Sequence, residues 1–468
     1  MLTVKSKRYL GAGVTLGLIF LCELLGLPGL NLTPAQEITA CILLIAAFLW
    51  VFEVVPLFVV SFLILALELV WLMPAVLKDT PDFNDVVFYS PFFSNIILLF
   101  IGGFVLSRLM QKYGLDLRFA NAILRHTGGK PAATLMGVIL SCAFLSMWIS
   151  NTATAAMMLA IVLPLLKTIP EDNPFRVGLV LSIPFACNIG GIGTPIGTPP
   201  NAIALFYLSE HGIHLTFSEW ILLVAPFLVG FLVFMWALLL KLYPAGETLV
   251  VNLDTNNMCL EETATGPFKP PHWLALGVFL LTALGWLLGG NIGLQTGTVA
   301  LLPIIACFWL GLLDTNDFRQ LHWDILYIVS GGLALGVALN VSGLGAVLVQ
   351  GLPLDQGPML IIVLMATVAA VLSTIMSNTA TAGLMIPLAM SLPLGQVEIV
   401  TIVLALALMC SMAMALPVTT PPNAIAYSAR IIQTKDMMIT GGIITLVGLV
   451  SVIVVGPMYW RWLEALMQ

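Results

Sequence analysis

The sequence predicts an all-α polytopic membrane protein with about 11 transmembrane helices and two re-entrant hairpins, built as inverted-topology repeats. Three observations lead there. Hydrophobic residues fill 60% of the 468 positions and charged residues only 9%, against roughly 25% charged in soluble chains. Apolar runs of about 17–25 residues, the length that crosses ~30 Å of hydrocarbon, recur from end to end. Finally, two hexapeptides each occur twice in the same order: SNTATA at Ser150–Ala155 and Ser377–Ala382, PPNAIA at Pro199–Ala204 and Pro421–Ala426. Such a coincidence marks an internal repeat.

Spans are expected near 9–30, 37–55, 57–76, 91–111, 175–209, 216–242, 272–290, 295–313, 325–345, 397–429 and 438–459. The first follows Lys5, Lys7 and Arg8 like a signal peptide, but is too long and lacks a cleavage site. It reads as a retained span. The expected organisation is 1–90 as N-terminal scaffold spans, 91–243 as repeat 1, 244–271 as a polar cytoplasmic linker, and 272–468 as repeat 2. No room is left for a soluble catalytic module.

With the N-terminus cytoplasmic, only Lys78 and Arg461 of the 17 basic residues fall outside. That positive-inside bias sets the orientation and places the C-terminus externally. Leu115 to His126, with Arg118 and Arg125 opposite Leu117, Phe119, Ile123 and Leu124, reads as an amphipathic helix on the cytoplasmic surface.

The seven cysteines show no paired spacing and read as small core residues, Cys259 excepted. The five histidines form no ligand pair on a helix, so a zinc or haem enzyme is not expected. No basic stripe suggests nucleic acid. Glu23, Glu53 and Glu68 are placed toward span ends, in snorkelling or structural roles.

Gly102-Gly103 precede Gly114-Leu115 with the spacing at which Gly331-Gly332 precede Gly343-Leu344. The first copy ends at the basic Arg108 and Lys112, whereas the second starts beside Arg319 and Asp324, so the copies are inverted. Inverted repeats are the architecture of secondary transporters, with sites near the midplane where discontinuous helices meet. Residues 132–169 fit either two full spans or one hairpin, as do 358–394. Inversion favours hairpins, whose Ser-Asn-Thr tips would then meet from opposite faces, with irregular backbone covered by protein or a watery cavity.

Two further segments, Asn188–Asn201 and Pro417–Asn423, are too rich in glycine and proline to stay helical. Their freed carbonyls and the hydroxyls of Thr198, Thr419 and Thr420 offer hard oxygen ligands, and the restarted helices offer N–H groups to an anion. A lone Ser-Asn-Thr is more often a packing contact. The repeated pair, each copy followed by a threonine-proline break, reverses that preference. Trp148 fits packing and cavity lining equally.

At these tips and breaks the sequence resembles the divalent anion/sodium symporter family of dicarboxylate, citrate and sulfate transporters, most of all the bacterial C4-dicarboxylate members. The resemblance spans nearly the whole chain. It implies a homodimer in the bacterial inner membrane, with scaffold and transport domains and an elevator motion. By motif, Ser150, Asn151, Thr152, Ser377, Asn378 and Thr379, helped by Thr420 and Pro421, match the residues that hold substrate carboxylates. Ser146, Ser150, Asn151 and Gly197 match a first sodium site, and Ser373, Met376, Asn378 and Thr419 a second, where Thr419 replaces an expected small residue. Sodium coupling is also physically sensible, since no Lys or Arg lies in either tip or break to neutralise a dianion. A channel would need a continuous polar pore, and an enzyme a nucleophile with its base; neither is evident. A sodium-independent dicarboxylate exchanger, or a citrate or sulfate symporter of the same fold, are the rival readings.

Overall fold

A computed structural model describes residues 13, 14, 17, 31–246, 249, 251, 266–350 and 357–467. Most of the expected span 9–30, Glu23, Cys22, Cys259 and most of the 244–271 linker lie outside the described residues. Every described element is helical.

Among the described residues eight helices are long and apolar enough to cross a membrane: Pro34–Phe52 (α1), Leu57–Asp79 (α2), Val86–Lys112 (whose main helix, Asn95–Lys112, is α3), Phe217–Leu242, Pro270–Ile292, Trp323–Ser342, Pro358–Ile375 and Thr434–Val454. The surface helix is Leu115–Arg125 (α4), entered through Gly114 at φ +57°, a left-handed conformation that glycine adopts at no steric cost. Leu115, Ala120 and Leu124 face inward, and Arg118 lies 4.6 Å over the Phe268 ring.

The segment 132–169 folds as two 16-residue helices, Pro131–Ser146 (α5) and Asn151–Leu166 (α6), joined at 147–150. At ~1.5 Å per residue each is about 24 Å long, short of a full crossing. Phe175–Gly191 (α7) and Pro199–Glu210 (α8) flank the first break, and α9 is Phe217–Leu242. Pro270–Gly289 (α10) and Thr296–Trp309 (α11) lead into Trp323–Ser342 (α12) and the short Leu344–Val349 (α13). The second hairpin is Pro358–Ile375 (α14) and Asn378–Met390 (α15), the second broken pair Gln396–Met412 (α16) and Pro421–Ser428 (α17), followed by α18, Thr434–Val454.

Each hairpin's second arm packs on the restarted helix of the other repeat, α6 on α17 and α15 on α8. The two copies therefore build one centre. Arg108 and Lys112, at the end of α3, hold the buried Asp317 at 2.8 and 2.6 Å, tying α3 to the α11–α12 connection.

Two expectations are corrected. The chain does not end with the span at 438–459: a break at Gly456-Pro457 starts a last helix, Gly456–Met467 (α19). It is pinned back by Trp460 Nε1 donating to Leu223 O (2.9 Å) and Tyr459 Oη donating to Leu222 O (2.8 Å). Glu68 does not snorkel from a span end. It sits inside α2, at the start of a π-helical turn, Glu68–Leu72, and is 0% exposed. Glu53 does end α1, in an exposed left-handed turn at φ +46°.

Candidate functional site at the paired hairpin tips

The tips take their shape from local capping. Ser150 caps α6 by accepting from Ala153 N (3.3 Å), and Ser377 caps α15 by accepting from Ala380 N (3.2 Å). A serine in that role fixes the turn and aims the following amides outward.

One turn before each tip stands a buried serine with the same two neighbours in both repeats. Ser146 Oγ touches Asn151 Oδ1 and lies 2.8 Å from Cys187 O. Ser373 Oγ lies 2.8 Å from Asn378 Oδ1 and 2.6 Å from Cys410 O. A hydroxyl has one proton, and both neighbours are acceptors. In each cluster a hydroxyl, an amide and a carbonyl oxygen converge within hydrogen-bond distance. The donor set of hydroxyl, amide and carbonyl oxygens is that of a hard cation.

The breaks are braced by repeat-equivalent asparagines. Asn201 Nδ2 donates to Gly191 O (3.0 Å) and Thr194 O (2.7 Å), and Asn423 Nδ2 to Leu416 O (2.9 Å) and Thr419 Oγ1 (3.1 Å). Trp220 Nε1 donates to Ile192 O at 3.1 Å. Glycine is obligatory here for space: a Cβ on Gly197 would sit 2.3 Å from Gly191 O, and one on Gly190 2.4 Å from Ala143 O. A Cβ on Gly191 would lie 3.0 Å from the Asn151 amide, so the first break presses on the first tip.

Both tips and both breaks line one cavity of about 400 Å³, within the roughly 300–1,000 Å³ of small-molecule sites. Ser150, Asn151, Thr152, Ser377, Asn378, Thr379, Gly197, Thr419, Thr420 and Pro421 all line it, as does Trp148, which also stacks on Phe217 at 5.9 Å. Ser146 and Ser373 lie behind the tips, fully buried, and Met376 is buried at the end of α14. The structure thus brings the expected residues into two serine–asparagine clusters around one cavity. Thr419 Oγ1 is engaged by Leu416 O and Asn423.

Among the described lining residues there is no lysine or arginine; the ionisable ones are His322 and Asp324. Four helix N-termini meet there, and they divide into two kinds. α6 and α15 begin at Asn151 and Asn378 with free amides, whereas α8 and α17 begin with Pro199-Pro200 and Pro421-Pro422. The proline pairs keep the positive end of a dipole but carry no N–H. Anion hydrogen bonds therefore fall to the tips. A second cavity of about 430 Å³, lined by Ser94, Glu210, His214 and Thr296 among others, contains no tip residue.

Sequence reasoning did not single out Asn188. Its Nδ2 lies 3.3 Å from both Thr420 Oγ1 and Asn423 Oδ1, joining the first repeat's α7 to the second repeat's break. Its place at the head of the glycine-rich stretch was the available signal. Among the described residues no group of three His, Cys, Asp or Glu side chains could hold a metal, and the five described cysteines are buried and form no disulfide.

Residues 47–409 match the citrate transporter family. The sodium-dependent dicarboxylate transporter SdcS of Staphylococcus aureus (strain USA300) is 30% identical, over 96% of this chain and 92% of that protein. Its Staphylococcus saprophyticus counterpart is 29% identical, over 95% and 90%. An uncharacterized transporter of Haemophilus influenzae is 32% identical, over 78% and 81%. Among solved structures, the YdaH transporter of Alcanivorax borkumensis matches with a TM-score of 0.52 at 13% identity, covering 84% of this chain and 89% of that one, a likeness of fold alone.

Proposed function

The chain belongs to the citrate transporter family and is a transporter, not an enzyme; from that premise we propose that it imports C4-dicarboxylates such as succinate, malate and fumarate together with sodium. The observation that carries this reading is the doubled cluster: two Ser-Asn-Thr tips on one cavity, each backed by a buried serine between an amide and a carbonyl oxygen, with no lysine or arginine among the described lining residues. The amide nitrogens of Asn151 and Asn378, the threonine hydroxyls and the first amides of α6 and α15 suit two carboxylates held a few bonds apart. Sodium at Ser146, Ser150, Asn151 and Gly197, and at Ser373, Met376, Asn378 and Thr419, supplies the positive charge that the cavity lacks.

Moving a dianion into an inside-negative cell costs about 4.6 kcal/mol per 100 mV, at ~2.3 per charge. Two sodium ions cancel that charge, and a third cation makes import electrogenic. The hairpins and broken helices, packed on each other across the repeats, would travel as a transport domain against the remaining helices in an elevator motion, within a homodimer in the bacterial inner membrane, N-terminus cytoplasmic. The dicarboxylate specificity of the two staphylococcal relatives supports this substrate class over citrate.

The test is uptake of labelled succinate into proteoliposomes with and without a sodium gradient, with citrate and sulfate as competitors. Sodium-driven uptake, resistant to citrate and sulfate, is expected. Equal uptake in choline medium driven by internal dicarboxylate would replace the symporter with an exchanger.

A further inference from the structure

α2 is an apolar span with one acidic residue in its interior. Glu68 is 0% exposed, and neither carboxyl oxygen has a hydrogen-bond partner. Among the described residues no ion pair includes it. Two other buried polar atoms nearby in the fold are also without partners, Trp50 Nε1 on α1 and Ser61 Oγ two turns before Glu68 on the same face of α2. Ile64 and Leu72, a turn to either side of Glu68, are buried apolar side chains. The helix itself is irregular there, opening into the π turn Glu68–Leu72, which packs on α1. Such turns interrupt the regular ladder and are frequent at functional positions.

An ionised carboxylate in that setting has nothing to offset its desolvation, and a group so placed neutralises instead. Sodium would need several oxygen ligands, and among the described residues neither carboxyl oxygen has a polar partner. A proton needs no cage. We propose that Glu68 is a proton-binding site, loaded in the conformation seen here, which takes its proton from solvent and returns it there as the transporter changes conformation.

An ionisable side chain that interacts with it electrostatically is Tyr207 of α8, whose hydroxyl donates to Gly332 O (2.9 Å) or Leu333 O (3.0 Å) of α12. Glu37 and Glu53 lie at the two ends of α1, Asp324 at the exposed start of α12, Lys78 and Asp79 at the far end of α2, and α15 carries no charged residue. The charge state of Glu68 is thus coupled electrostatically, through Tyr207, to the helix restarted by the first break, which is how its proton would report on the site. The proposal rests on the transport reading only for its role, as a cation beyond two sodium ions.

Infrared spectra of the reconstituted protein test the site without transport. A protonated carboxyl band is expected in the wild type and absent from Glu68→Gln, which keeps the size and neutrality of the loaded form. Identical spectra would overturn the proposal. If Glu68→Gln fails to insert, Glu68→Asp must shift the band, and an unshifted band overturns it equally. Succinate uptake should acidify wild-type vesicles carrying an internal pH dye and leave Glu68→Gln vesicles unchanged; uptake without acidification overturns the coupling. Absence of wild-type succinate uptake with the carboxyl band present would instead sink the dicarboxylate reading and uphold the protonation site.

Discussion

Ser146→Ala tests whether the serine behind the first tip is an ion ligand or a brace. Its hydroxyl lies within hydrogen-bond distance of Asn151 Oδ1 and Cys187 O and is fully buried, so alanine removes one oxygen ligand without adding volume. Contacts to a charged partner contribute about 1.5–3 kcal/mol. At ~1.4 kcal/mol per decade, sodium affinity should fall about ten- to hundredfold. The geometry of Ser373 with Asn378 and Cys410 is the same, so Ser373→Ala should match it, and the double variant should add the two effects if the clusters are independent. The assay is succinate uptake against sodium concentration, paired with the sodium-dependent rise in melting temperature in detergent. Maximal uptake at saturating sodium should survive each single change. Linkage is reciprocal, so the wild-type midpoint for sodium should fall as succinate rises. Lower maximal uptake with unchanged sodium midpoints in both assays would make the serines braces and refute the ion reading.

Asn151→Ala and Asn378→Ala should each abolish uptake while leaving a folded, inserted protein, since each amide has one end on the buried serine and lines the cavity; wild-type uptake in either variant counts against the site. Cysteines introduced at Thr152 and Thr379, which line one cavity, should both react with aqueous thiol reagents, from one membrane face and then the other over the cycle, and succinate should slow both; labelling of both from one face alone throughout the cycle contradicts alternating access. Gly197→Ala forces a Cβ to 2.3 Å from Gly191 O, an overpacking of about 1–3 kcal/mol, and should lower the melting temperature and uptake together; a neutral outcome would mean that the break is softer than drawn. Burial pushes the Asp116 carboxyl on the surface helix up to about 6, above its ordinary ~3.9. The folded state therefore favours the protonated form, and wild-type stability declines as pH rises from about 4 to 6, by about 3 kcal/mol at ~1.36 per decade. Asp116→Asn should remove that decline in thermal unfolding followed from pH 4 to 8, and parallel curves for the two proteins would show that burial does not govern this carboxyl.

The centre was legible because its two halves are spelled alike. SNTATA and PPNAIA name the tip and the restart, and the spacing between them already implies that a hairpin and a broken helix belong together. Composition could not say how they interlock, because α6 lies on α17 and α15 on α8, and a pairing across repeats leaves no local signal. Asn188 escaped for the same reason in reverse: its place in the second copy is taken by Ser411, so the repeat comparison hides an amide that joins the two halves at the site. The last helix was missed because hydropathy runs on through Gly456-Pro457, and only packing, with Trp460 on Leu223 O, holds it as a separate element. Glu68 marks the sharpest limit. In sequence, an acid amid Leu67, Leu69 and Val70 is compatible with snorkelling, since a side chain's reach to water depends on which way its face turns. That face is decided by α1 and α12 packing against α2, which closes off the water route and leaves both oxygens without a donor. A buried acid costs stability wherever it does no work, and this one interacts electrostatically with the tyrosine that anchors the restarted helix to α12. The same packing that made Glu68 illegible in sequence is what makes it a place to look for the missing cation.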